Sequence, residues 1–256
     1  MTSVSPDHGG IGLLGLPEAA LQRQRVTKKM LAGQFEERSP ADARLITKSV
    51  SSAWVVGMLR PATIRVPVHK DAERDVTDIP ILEVSLADRT TDGTRTRVTE
   101  LIHRSMARPV VVLVSVPGGN MTLSLALSRV NRTDPARSTS VIEGHVMVPT
   151  DRIEEGSLYL DRLDRTDMWA LYLDLVRTAA ADGRPASTAL QASEAIKMRR
   201  QLSDLEIELA ALIRDAKKAK NQQQRIDLNM RARTTRVRIE HTRGVLYSPD
   251  YGHDGI

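Results

Sequence analysis

PVVVLVSV, from Pro109 to Val116, is the most hydrophobic strand-like stretch of the chain and the one that decides its fold. Six of its eight residues are Val or Leu, a run that reads as a central β-strand. Upstream of it, Thr94 to Ala107 follows the turn residues Asp92 and Gly93 and sets Val98, Leu101, Ile102 and Met106 on one helical face. Before that helix, Ile79 to Leu86 alternates: Ile79, Ile81, Glu83 and Ser85 oppose Leu82, Val84 and Leu86. Downstream, Pro117 to Asn120 is a turn, and Met121 to Val130 alternates through Met121, Leu123, Leu125 and Leu127, which predicts a hairpin. His145 to Val148 is a weaker strand signal.

Further out, Ala53 to Leu59 and the alternating Ala62 to Val68 read as two strands joined at Arg60 and Pro61. Ser39 and Pro40 predict a helix start, with Leu45, Ile46 and Val50 on one face, and Met30, Leu31 and Phe35 sit at helical spacing within Val26 to Phe35. Pro17 opens a helical pattern through Leu21, and the Gly- and Ser-rich residues 1–15 are expected to be disordered. Together these periods predict an α+β fold: a mixed sheet of about five strands with helices from both ends of the chain packed on it.

The last third is helical. Asp167 to Ala181 carries Trp169, Tyr172, Val176 and Ala179 on one face and ends at Gly183, with Pro185 beyond it. Ser187 is placed to cap the next helix. From there Ala195, Met198, Leu202, Leu205, Leu209, Leu212, Ala216, Ala219, Gln223, Ile226, Met230 and Val237 alternate spacings of 3 and 4, with Arg233 as the break. An unbroken helix from Ser187 to Arg243 would run about 85 Å at 1.5 Å per residue, whereas weakening of the seam from Ala216 to Gln223 permits a helical hairpin. The expected organisation is therefore residues 1–15 as a disordered start, 16–183 as the core domain, 187–246 as a coiled-coil-like helical region and 247–256 as a tail.

Charge is confined in the same way. Residues 214–243 hold ten Lys or Arg against three acids, while the rest of the chain carries 27 bases and 29 acids. Arg214, Lys217, Lys218, Lys220, Arg225, Arg231, Arg233, Arg236 and Arg238, with Arg243 at the end, could neutralise several phosphates in a salt-sensitive and sequence-independent way. Leu202, Leu205, Leu209 and Leu212 are the expected protein interface, and a charged helix surface is also what a partner bearing acidic residues would meet. Aromatics make up only 3% of the chain, which argues against a single-strand reader built on base stacking.

Other chemistry is sparse. There is no cysteine, which excludes disulfides and thiolate metal sites and suits a reducing cytoplasm. The opening MTSVSPDHGGIGLLGLPEAAL lacks a basic, apolar leader pattern, and no apolar run approaches the roughly 20 residues of a membrane span. The histidines are scattered, and His103 beside the apolar arc of its helix is expected at the helix surface or boundary. No nucleophile-elbow pattern occurs, and Pro117 to Asn120 lacks the Lys of a phosphate loop. Asp78 and Glu83 invite comparison with nucleases that hold Mg²⁺ through Asp and then Glu-x-Lys, but Ser85 stands at the Lys position. They are the only candidates for a catalytic pair, and no cofactor is expected.

LPEAAL (16–21), VTKKML (26–31), WVVGMLRPATIRV (54–66), IPILEVSL (79–86), IHRSMARPVVVLVSV (102–116) and KKAKNQQQRIDLN (217–229) occur in an order that resembles a bacterial domain-of-unknown-function family, of the DUF four-three-nine-one type. The resemblance spans roughly residues 16–246. It implies a chain encoded near helicases and DNA methyltransferases in mobile or phage-defence clusters. On that resemblance the expected role is a non-catalytic accessory subunit docking a helicase, a methyltransferase or a second copy of itself, with DNA contact through the basic helix. A divergent metal-dependent nuclease is the alternative.

Overall fold

The computed structural model describes residues 11–130 and 140–247. The elements follow in the order β1 (Leu21–Arg25), α1 (Lys28–Ala32), α2 (Pro40–Ser49), β2 (Val50–Leu59), α3 (Pro61–Ile64), β3 (His69–Lys70), β4 (Asp75–Val76), β5 (Ile79–Leu86), α4 (Asp92–Ser105), β6 (Val111–Ser115), β7 (Thr122–Val130), β8 (Ser140–Pro149), α5 (Met168–Ala180), α6 (Ala192–Lys218) and α7 (Gln222–Leu246). Six strands form one mixed sheet in the order β1-β2-β5-β6-β7-β8. The β5–β6 pair is parallel, bridged by α4, and the other pairs are antiparallel.

The apolar run at β6 follows from its place in this sheet. Val111 and Leu113 face one core with Ile79 and Ile81, while Val110, Val112 and Val114 face the other with Leu82, Val84 and Leu86. A strand covered on both sides has no solvent face on which to place polar residues. Helices α1, α2 and α4 cover the second of these faces, and α5 with the roots of α6 and α7 covers the first. Tyr172 pins α5 to the sheet: its hydroxyl accepts from Ala126 N–H at 3.2 Å and lies 3.0 and 3.2 Å from the Ala126 and Val110 carbonyls. Asp167 caps α5, its Oδ1 accepting from the N–H groups of Trp169 and Ala170. Gly183 follows α5 at φ 72, and a Cβ there would sit 2.5 Å from Ser157 Oγ.

Several expectations change. Ala62 to Val68 is not a strand: Pro61 opens the short α3 and Arg65 ends it at φ 55, so burial of Ile64 and Val66 arises from a turn rather than from a pleat. The sixth strand is β1, whose LQRQR sequence is too polar to signal a strand; as an edge it needs to bury little, and its arginines suit an unpaired border. Residues 11–14, expected with the disordered start, form a 3-10 turn that buries Leu14, whereas residues 1–10 and the tail from residue 248 lie outside the described residues. Ser187 caps nothing; Gln191 caps α6, with its N–H donating to Glu194 Oε2 at 3.0 Å.

The C-terminal third is a hairpin and not a rod. Helix α6 ends at Lys218 and α7 begins at Gln222, capped by Asn221, so each arm is about 40 Å long. The hairpin is rooted in the fold: Leu202, Leu205, Ile239 and Leu246 belong to the same core as α5, and Gly144 lets Ile196 of α6 approach β8. A Cβ at Gly144 would meet Ile196 Cδ1 at 2.9 Å.

Candidate functional site

The expected protein interface closes within the chain. Leu202, Leu205 and Leu212 are buried and Leu209 packs against the core, so as the chain folds these leucines face α7 and α5 rather than solvent. What they meet on α7 is Leu228, Ala232, Thr235, Ile239, Thr242 and Leu246, a line with spacings of 4, 3, 4, 3 and 4. Leu228 is half-buried and the other five are buried. Large residues on one helix fill space left by small ones on the other, and the pairing is locked at its edge by Arg243 to Glu206 at 3.0 Å. The hydrogen bond to Glu206 stabilises the guanidinium further and raises its pKa. Arg238 lies 3.9 Å from Glu208 in the next turn towards the hairpin tip.

With that inner line settled, the basic residues are turned outward. Arg214, Lys217, Lys218, Lys220 and Arg225 are exposed around the turn, and among the described residues none forms an ion pair within the chain. Arg231, Arg233 and Arg236 are exposed along α7, also without an ion-pair partner among the described residues, and Arg238 is exposed beside Glu208. The tip therefore presents five cations over two helix ends and a three-residue linker, with Asp215 and Asp227 as its nearest acids in sequence. Such an arrangement suits a polyanion, because each cation can be neutralised without breaking an internal pair. It offers no group placed for bond making.

The other candidates come apart. Asp78 is paired with Arg108, and Glu83 lies within β5 opposite Trp54 on one side and Leu113 on the other. Five residues of extended chain separate the two carboxylates by about 16 Å, so they do not converge on one ion. No group of three or more His, Asp or Glu that could hold a metal occurs among the described residues. No helix among them is long and apolar enough to cross a membrane.

Two histidine clusters were not legible in the sequence. His103, expected at the helix surface, is buried; its Nε2 lies 2.9 Å from Ser124 Oγ, which lies 2.8 Å from His145 Nε2. Burial pushes His103 well below the ordinary imidazole value and His145 down to about 4. Both are neutral at pH 7, and because one hydroxyl donates a single proton, one ring accepts from Ser124 while the other donates to it. Serine flanked by imidazole has the composition of a nucleophilic site, yet Ser124 is fully buried on β7 beneath α4. The cluster is a polar clasp. The signal for it was the small-residue line Thr122, Ser124 and Ala126 opposite the leucines of β7, which lets α4 lie close to the sheet.

His69 forms the second cluster. Its Nδ1 and Nε2 each lie 2.9 Å from a carboxylate oxygen, of Asp167 and Asp71 respectively. The Asp167 hydrogen bond raises the imidazole pKa, and its partner Asp71 is held down at about 2. Both ring nitrogens are occupied, so the group ties the β3–β4 hairpin to the start of α5. A cavity of about 420 Å³ beside α5 brings Arg162 and Arg177 together with Glu154 and Asp174, two cations offset by two acids.

A family model described as a domain of unknown function, DUF4391, matches residues 14–239. No curated protein and no solved structure matches the chain.

Proposed function

The chain belongs to the DUF4391 family of domains of unknown function, and on that premise we propose that it is a non-catalytic accessory subunit whose C-terminal hairpin is its interaction element. The tip of the hairpin contacts the phosphate backbone of duplex DNA, and the subunit serves a helicase or methyltransferase of a defence or restriction-like system. The observation that carries the reading is the set of exposed cations, Arg214, Lys217, Lys218, Lys220 and Arg225, which gather where α6 turns into α7 and form no ion pair among the described residues. Polar groups placed for catalysis would converge in a cleft; these diverge on a convex turn. The narrower placing beside helicases and methyltransferases is supported by the sequence resemblance.

The test is a titration of a labelled 30-base-pair duplex with the full chain at about 50 and about 200 mM salt. Four or five phosphate contacts should weaken binding on the order of a hundredfold over that range. Replacing Lys217, Lys218, Lys220 and Arg225 with Ala should remove most of the low-salt affinity. Binding that ignores salt, or survives the fourfold substitution, would defeat the proposal.

A further inference from the structure

We infer that the cavity beside α5 is a binding site for a small zwitterion of the free amino acid class, held by Arg162 at its carboxylate and by Glu154 at its ammonium group. The cavity measures about 420 Å³, within the range of small-molecule sites. Its wall comes from three stretches of chain: the loop between β8 and α5, helix α5 itself, and the connection from α5 to α6. Glycine brings two of them together. Gly183 stands at φ 72, and a Cβ on it would lie 2.6 Å from Ile153 Cγ2 and 2.9 Å from the Glu154 nitrogen, so the connection meets the loop with no room for a side chain. Gly156, at φ 77, lies against Arg162: a Cβ there would be 3.8 Å from the guanidinium carbon, which sets the cation beside the loop that carries Glu154. Ala186, also in the wall, is bridged to Tyr247 and so fixes the connection to the root of the hairpin.

The hydrogen bonds already made in the cavity decide what is left for a ligand. Asp174 is satisfied, its Oδ1 accepting from Arg177 Nε at 3.2 Å and its Oδ2 from the Asp164 N–H at 2.8 Å. Ser157 donates to the Glu154 carbonyl at 2.7 Å. The side chains of Arg162 and Glu154, by contrast, form no ion pair or hydrogen bond among the described residues, and neither do the hydroxyls of Thr178 and Thr188. One open cation, one open anion and two hydroxyls leave the site without net charge. A phosphate would meet the Glu154 and Asp174 carboxylates, and a polyamine would meet Arg162 and Arg177, so each brings like charges together. None of the described residues lining the cavity is aromatic, which removes a stacked nucleobase. A zwitterion answers both open charges. The guanidinium fork takes a carboxylate through two parallel hydrogen bonds, Glu154 accepts from an ammonium, and the threonine hydroxyls serve either end.

The experiment screens the standard amino acids singly against the full chain at about 1 mM by ligand-observed saturation-transfer NMR. At least one should bind. The N-acetyl and the C-terminal amide forms of the tightest ligand each keep one of its two backbone charges, and both should bind about tenfold more weakly or worse. Arg162→Ala and Glu154→Gln, at exposed positions without internal partners, should each weaken the free amino acid by a similar factor while the thermal midpoint of the unliganded chain stays in place. Alanine at Lys217, Lys218 and Lys220 should leave amino acid binding unchanged, and Arg162→Ala should leave duplex binding unchanged, so this site and the hairpin tip fail separately. The inference is overturned if no amino acid binds, or if inorganic phosphate or spermidine binds as tightly as the best of them. It is equally overturned if the capped forms match the free ligand or if either variant keeps full affinity.

Discussion

The sheet and the C-terminal hairpin of this protein are held together by opposite means. Around β6 the packing is apolar on both faces, and the titratable groups within it, His103 and His145, are kept neutral by burial. In the hairpin the inner line of α7 contains Ala232, Thr235 and Thr242, and the charged groups lie on the surface. Stability therefore concentrates in the sheet, and the hairpin spends little apolar area on folding, which leaves its surface open to partners.

The largest effect that could break this contrast is a cavity. Leu113→Ala, at a fully buried site on β6, should cost about 2 to 5 kcal/mol, and Leu212→Ala in the hairpin should fall at or below the lower end of that range. Urea unfolding of both variants measures the difference, and equal losses would erase the contrast.

A smaller effect sharpens it by running one exchange in both directions. Val112→Thr introduces a hydroxyl into the covered strand and should cost about 1 to 3 kcal/mol. Thr242→Val removes a hydroxyl that only returns to its own helix, donating to the Arg238 carbonyl at 2.8 Å, and should change stability by less than about 1 kcal/mol. Thermal midpoints of the two variants report the comparison, and a large loss for Thr242→Val would show the hairpin seam to be as demanding as the sheet.

Acid supplies a third effect, smaller than the cavity. His145 titrates near 4 in the folded chain against about 6.5 when unfolded, so below pH 6.5 the unfolded state binds more protons and stability falls as pH falls. Between pH 6.5 and 5 this group alone should remove about 1.5 kcal/mol, with His103 acting in the same direction. His69 runs the other way: its raised pKa contributes stability that is complete below about 6.5 and is lost as pH rises through its folded value. Urea midpoints at pH 6.5 and 5 should converge in His145→Gln relative to the wild type, and an unchanged slope would remove His145 as the cause.

Much of the fold was legible because its signals are local. The period of β5, the continuous apolar run of β6, the alternation of β7 and the starts of α2 at Pro40 and of α5 after Asp167 are written in residues that are neighbours along the chain. The polar edge β1 and the clasp His103–Ser124–His145 were not, because each depends on what lies across the sheet. The leucines of α6 were recognised as a seam, and the helix that they meet within the chain is α7. Helix α7 carries two lines at heptad spacing, and the one that continues the spacing of the α6 leucines, through Ile226, Met230 and Val237, faces solvent.

By itself, the sequence determined most of the helices, the strands of a mixed sheet centred on Val111–Ser115, and a block of ten bases against three acids at residues 214–243. Only the tertiary structure decided which line of α7 is buried, that the helix folds back at Ala219 to Asn221, and that Asp78 and Glu83 stand apart. The physical reason is that periodicity and charge belong to a segment, whereas packing compares volumes across space. The leucines of α6 fill the room left by Ala232, Thr235 and Thr242, and that match between distant segments turns Ile226, Met230, Val237 and the arginines between them outward.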